Sequence, residues 1–116
     1  ATDVGNLSAV RQEASGQSSS THGYITGGVA PGSPSYYNTI QKFPFASDNN
    51  AGDVGDLTQA RGAGAGQSST VSGYTSGGYA PPLDSTIDKF SFASDENATS
   101  VGGLSQARRL SAGQQV

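Results

Sequence analysis

Along this chain apolar residues come in short runs, and no window places them at i, i+3, i+4 and i+7 over three turns. A helix that packs on a core needs that spacing, whereas a half-buried strand needs a spacing of two. Phe90 and Phe92 fall on one face of such an alternating run, as do Phe43 and Phe45. The pattern predicts almost no helix and a series of short strands bounded by turn residues. Four strands are expected over 65–71, 73–77, 86–93 and 99–104, with turns at Ala80-Pro81-Pro82 and Asp95-Glu96-Asn97. Four equivalent strands are expected over 15–21, 24–27, 39–46 and 53–57. Pro44 sits inside the third of these. Proline lacks the amide donor, so that strand must bulge there or end sooner.

The strand pattern recurs because the sequence does. Ala1-Thr2-Asp3-Val4-Gly5-Asn6-Leu7-Ser8 returns as Ala51-Gly52-Asp53-Val54-Gly55-Asp56-Leu57-Thr58, and again as Ala98-Thr99-Ser100-Val101-Gly102-Gly103-Leu104-Ser105. The spacings are 50 and 47 residues, and the difference lies in one loop, 32–38 against 82–85. The chain divides into repeat one (1–50), repeat two (51–97) and a partial third (98–116). Antiparallel four-stranded units of this length are blades of a β-propeller. The first and last segments, 3–7 and 112–116, are expected to be leftover outer and inner strands.

Gly23-Tyr24 with Gly27-Gly28 and Gly73-Tyr74 with Gly77-Gly78, an aromatic strand after the loop, and Arg11, Arg61 and Arg108 preceding each first strand together resemble the kelch-type β-propeller repeat. The chain has no Trp between its third and fourth strands, where that family carries one. The phrases Gly-Tyr-x-Ser-Gly-Gly and Ile-Asp-Lys-Phe-x-Phe-Ala-Ser-Asp also resemble kelch-like repeats of marine phage structural and tail-fibre proteins, more loosely. The resemblance implies an all-β fold of two full kelch-like blades plus terminal strands. Two blades leave two open faces, and repeat units are stable in longer stacks. Closure by oligomerisation is therefore expected, with three copies making a ring of six blades and the terminal strands crossing the junctions.

Composition narrows the function. Only 33% of the 116 residues are apolar, whereas Ser, Thr and Gly number 18, 9 and 17. Charged residues are 13% and the net charge is −3, which argues against a nucleic-acid grip. The absence of cysteine excludes disulfides and a thiol nucleophile. No apolar run is long enough for a membrane span.

Candidate chemistry is sparse. Tyr36 and Tyr37 stand in the loop that is longer in one repeat, and Tyr79 flanks its counterpart; exposed loop aromatics suit contact with a partner or sugar. Arg11, Arg61 and Arg108 are candidates for an anion or glycan site, although a once-per-repeat arginine more commonly bonds carbonyls of a neighbouring repeat with its five donors. Asp48, Asn50 and Asp53 space oxygens like part of a calcium loop, but the counterpart Asp95-Glu96-Asn97-Ala98-Thr99-Ser100 loses the last carboxylate, and turns favour Asp and Asn anyway. His22, the single histidine, has Ser72 as its counterpart and no triad around it; it reads as a solvent-facing strand residue. Gly62-Ala63-Gly64-Ala65-Gly66 lacks the lysine ending of a phosphate loop. Asn6-Leu7-Ser8 and Asn97-Ala98-Thr99 fit the glycosylation triplet, which is frequent by chance in such a chain.

The expectation is a non-enzymatic structural and recognition module, a propeller segment of a multimeric extracellular or virion (tail-fibre-like) assembly. It would need no cofactor, and its main partner would be a further copy of itself, with a cell-surface glycan or receptor as a second. A carbohydrate-binding propeller lectin is the alternative.

Overall fold

The computed structural model describes residues 1–32 and 35–113. Among them there is no helix, and none that is long and apolar enough to cross a membrane. Two four-stranded antiparallel sheets form. The first comprises β1 (Ser15–Ser18), β2 (His22–Thr26), β3 (Thr39–Pro44) and β4 (Gly52–Asp56). The second comprises β5 (Ala65–Ser68), β6 (Ser72–Tyr79), β7 (Leu83–Ser91) and β8 (Thr99–Gly103). Each is a meander, so strands that follow one another in the chain are neighbours in the sheet.

The strands differ in detail from the expected ones. β1 and β5 stop at Ser18 and Ser68, because the Ser19 and Ser69 hydroxyls accept from backbone N–H groups two and three residues on and close the hairpin. β6 and β7 run longer than expected, reaching the Ala80-Pro81-Pro82 turn. Segment 3–7 is not a strand. Among the described residues it has no ladder partner of the kind that β3 gives β4. Ala112 and Gly113 also lie outside any strand, and residues 114–116 of that expected strand lie outside the described residues.

Pro44 fits because it is last in β3 and faces the right way. Thr39 and Phe45 bond β2 through Gly27 N–H and Thr21 C=O, so odd positions point to β2 and even ones to β4. β4 begins at Gly52, opposite Lys42, and does not reach Pro44. The missing donor of Pro44 therefore faces no strand. The bulge lies earlier, between Ile40 and Gln41, with its repeat counterpart between Ile87 and Asp88.

The sheets pack face to face as a wedge. Where β1 lies against β5 a Cβ on Gly66 would collide with the carbonyl oxygen of Gly16, so only glycine allows this approach. Farther along the sheets the gap is filled by Tyr24, Ile40, Leu57, Phe90 and Ala98, with Val54 and Phe92 against them. Tyr24 meets the Phe90 and Phe92 rings at centroid distances of 5.4 and 4.9 Å. Phe90 covers Gly73, its cross-strand partner, where any Cβ would clash.

The four phenylalanines do not share the burial equally. Phe90 is 3% exposed, whereas Phe45 is 55% exposed. Likewise Leu57 is 3% exposed and its counterpart Leu7 is 38%. Phe90 and Leu57 lie between the two sheets, whereas Phe45 and Leu7 lie on the open face of the first. Burial of a phenyl ring is worth several kcal/mol only where water is excluded on both sides. Phe90→Ala should accordingly destabilise the chain by about 3–5 kcal/mol, whereas Phe45→Ala in dilute solution should cost under about 1 kcal/mol. Urea midpoints of the two variants, at matched slopes, check the contrast.

Candidate functional site

The three repeat arginines stand in three environments. Arg61 lies in the link between β4 and β5 and is 1% exposed. Its Nε donates to the Gly77 carbonyl at 2.7 Å and its Nη2 to the Thr75 carbonyl at 3.2 Å. Nη1 donates to Asp88 Oδ2 at 3.2 Å. Asp88 is itself fully buried and also accepts from the Thr58 amide and hydroxyl, at 2.9 and 2.7 Å. The guanidinium thus spends its donors inside the fold, on carbonyls freed where the Gly77-Gly78 pair turns to positive φ.

Repeat one builds the same site from other residues. Gln41 replaces Asp88 and Ser8 replaces Thr58; the Ser8 amide donates to Gln41 Oε1 at 3.2 Å, and Gln41 Nε2 donates to the Ser8 hydroxyl. Arg11 keeps one carbonyl, Gly27, at 2.9 Å, adds the Thr39 hydroxyl at 3.0 Å, and leaves Nε without a partner. Its guanidinium stacks 4.4 Å above the Tyr37 ring. Burial lowers the Arg11 pKa, with Tyr37 and Asp53 acting in the opposite direction. Arg108 is exposed, and its Nε reaches only the Gln106 carbonyl at 3.3 Å.

The loop tyrosines gather at one end of the sheets. Tyr36 meets Tyr79 edge-on at 6.1 Å, and Arg109 stands 4.5 Å over the Tyr79 ring. The row Tyr36, Tyr79, Arg109 offers half-buried aromatic faces and one exposed cation. Arg109 stands where the earlier repeats have Gln12 and Gly62, so the repeat does not mark it. Asp88 was also legible as a carboxylate at an inward position of an alternating strand.

Two oxygens of the calcium-like segment already accept from backbone amides. Asn50 Oδ1 accepts from the Asn6 amide at 3.0 Å and Asp53 Oδ1 from the Gly55 amide at 3.2 Å, while Asp48 is exposed. Among the described residues no three His, Cys, Asp or Glu side chains are grouped to hold a metal ion. His22 is half-buried in β2, opposite Pro44 in the ladder, with Nδ1 2.9 Å from the Thr21 hydroxyl.

Two predictions follow from the arginine link. Asp88→Ala leaves buried Arg61 only the longer 3.8 Å approach to Asp84 and should cost about 3 kcal/mol, whereas Asp88→Gln, which copies repeat one, should cost less; urea unfolding checks the order. Asp84 sets an acid limit. Burial raises its pKa, but the Thr86 hydroxyl and amide, Arg61 and the Ser85 amide together hold it below its ordinary value of 3.8. A depressed carboxylate stabilises the fold above its unfolded pKa, and that contribution is lost as pH falls through the folded value. Thermal scans should show Asp84→Asn closing the gap to the parent chain as pH drops below about 3.8. No protein-family model matches the chain, and no curated protein matches its sequence.

Proposed function

We propose that the chain is a non-enzymatic structural and recognition module, a segment of a kelch-like β-propeller whose ring is completed by further copies. The observation that carries the reading is the serial contact between repeats. Ala63 N–H donates to the Glu13 carbonyl at 2.8 Å, and Leu110 N–H donates to the Ala63 carbonyl at 2.7 Å. Glu13, Ala63 and Leu110 occupy one repeat position and share a φ of 57–58°. One relation between neighbours thus applies twice, and a wedge repeated by a fixed rotation leads toward a ring. Three copies give six sheets. An extracellular or virion-borne setting suits a Ser-, Thr- and Gly-rich chain without cysteine whose surface work is contact rather than chemistry.

A carbohydrate-binding propeller is the second reading, favoured by the row of Tyr36, Tyr79 and Arg109. Aromatic faces beside a cation suit stacking against a sugar ring.

Sedimentation equilibrium over a micromolar range should report a species of three times 11.6 kDa. A folded monomer throughout that range would overturn ring closure by copies. On a glycan array the lectin reading expects several weak equivalent sites per ring, lost in Tyr79→Ala.

A further inference from the structure

The first sheet carries an apolar hollow of about 250 Å³ on the face turned away from the second, lined by Val4, Leu7, Ile25, Phe43, Asn49 and Ala51. One repeat later the same positions are Val54, Leu57, Thr75, Phe90, Glu96 and Ala98. There the hollow is the core, and what fills it is Tyr24 and Ile40 from the preceding sheet. Their own counterparts one repeat on, Tyr74 and Ile87, are only half-buried, whereas Tyr24 and Ile40 are 3% and 0% exposed. Charge follows the same rule. Lys42 pairs with Asp95 between the sheets at 2.6 Å, and the counterparts Lys89 and Asp48 are both exposed.

Residues 1–11 already stand where the outer strand of a neighbour would stand. Ala51 N–H donates to the Asn6 carbonyl at 2.9 Å, and Ala98 N–H donates to the Asp56 carbonyl, at the end of β4, at 2.8 Å. The Asn6 amide donates to Asn50 Oδ1 as the Asp56 amide donates to Asn97 Oδ1, both at 3.0 Å. In the repeat frame residues 3–7 coincide with β8 of a docked copy. At the other end Gly113 is set against Gly66 as Gly66 is against Gly16, where a docked copy would place its own Gly16.

We propose that the open face of the first sheet is a docking surface for the second sheet of another copy, with Tyr74 and Ile87 entering the hollow and Lys89 reaching Asp48. Residues 1–11 of one copy and 109–113 of the other are internal stand-ins that must leave for it to form. The inference rests on the reading that copies join end to end, and it adds which residues meet and which segment opposes them.

The chain has no cysteine, so pairs can be introduced cleanly. The Thr26 and Thr75 hydroxyl oxygens are 2.8 Å apart between the two sheets. Thr26→Cys with Thr75→Cys should oxidise to a disulfide within one chain. The shifted pair, Ile25→Cys with Ser76→Cys, should instead give covalent multimers on a non-reducing gel. An internal disulfide in the first pair without multimers in the second overturns the docking and leaves the sheet packing standing. Failure of the first pair overturns the packing on which both rest. Equivalent leucines supply the second arm. Leu7→Asp should lower the concentration for half-assembly by about tenfold, since it loosens only the stand-in, and Leu104→Asp should raise it by a similar factor. The opposite signs would mean that residues 3–7 replace β8 at the junction, and would overturn the proposal.

Discussion

The approach of β1 to β5 is the constraint on which the rest depends. Two backbones come together where Gly66 meets the Gly16 carbonyl, with no room for a side chain on Gly66, and the sheets then diverge. Divergence must be filled, because a void forfeits dispersion contacts on both walls. The filling is graded: serine and glutamine beside the glycines, then Tyr24 and Ile40, then Phe90 and Phe92. A chain with 33% apolar residues can supply this only because the large side chains are needed in one part of the wedge.

Near the narrow part the packing is polar and bonded through the Gln17 amide nitrogen, while Gln17 Oε1 is left without a partner. Gln17 Nε2 donates to Thr26 and Thr75 hydroxyls at 3.1 and 2.9 Å and to the Tyr74 carbonyl at 3.0 Å. Buried polar groups cost free energy unless bonded, and a bonded set fixes one arrangement of the sheets where an oily contact would let them slide. Arg61 and Asp88 do the same for the link between the sheets. Repeat one achieves the link with Gln41 and Arg11, a neutral partner and a stacked cation, so the geometry does not depend on the buried ion pair.

Much of this was legible in the sequence. The four strands per repeat, the positive φ of Gly77 and Gly78 and the inward place of Phe90 all follow from period and residue type. The strand expected at 3–7 does not form, because the segment has no ladder partner among the described residues, and the repeat phrase alone cannot show that. Phe45 and Phe92 hold one place in the strand pattern and differ in burial because of what stands opposite. Pro44 looked anomalous until the ladder parity showed its amide side facing past the end of β4. The row of Tyr36, Tyr79 and Arg109 depends on where two loops and the final link meet, which no local pattern encodes.

The turn shared by Glu13, Ala63 and Leu110 has a direction. The Ala63 and Leu110 amides each point back to the carbonyl of the repeat before them. A left-handed backbone costs a side-chain-bearing residue on the order of 1–2 kcal/mol, and at these two positions the bond to the earlier repeat offsets that cost. During synthesis the earlier repeat is made first. Every later turn therefore meets an acceptor already held in place, and the chain carries an order of construction from its amino end onward.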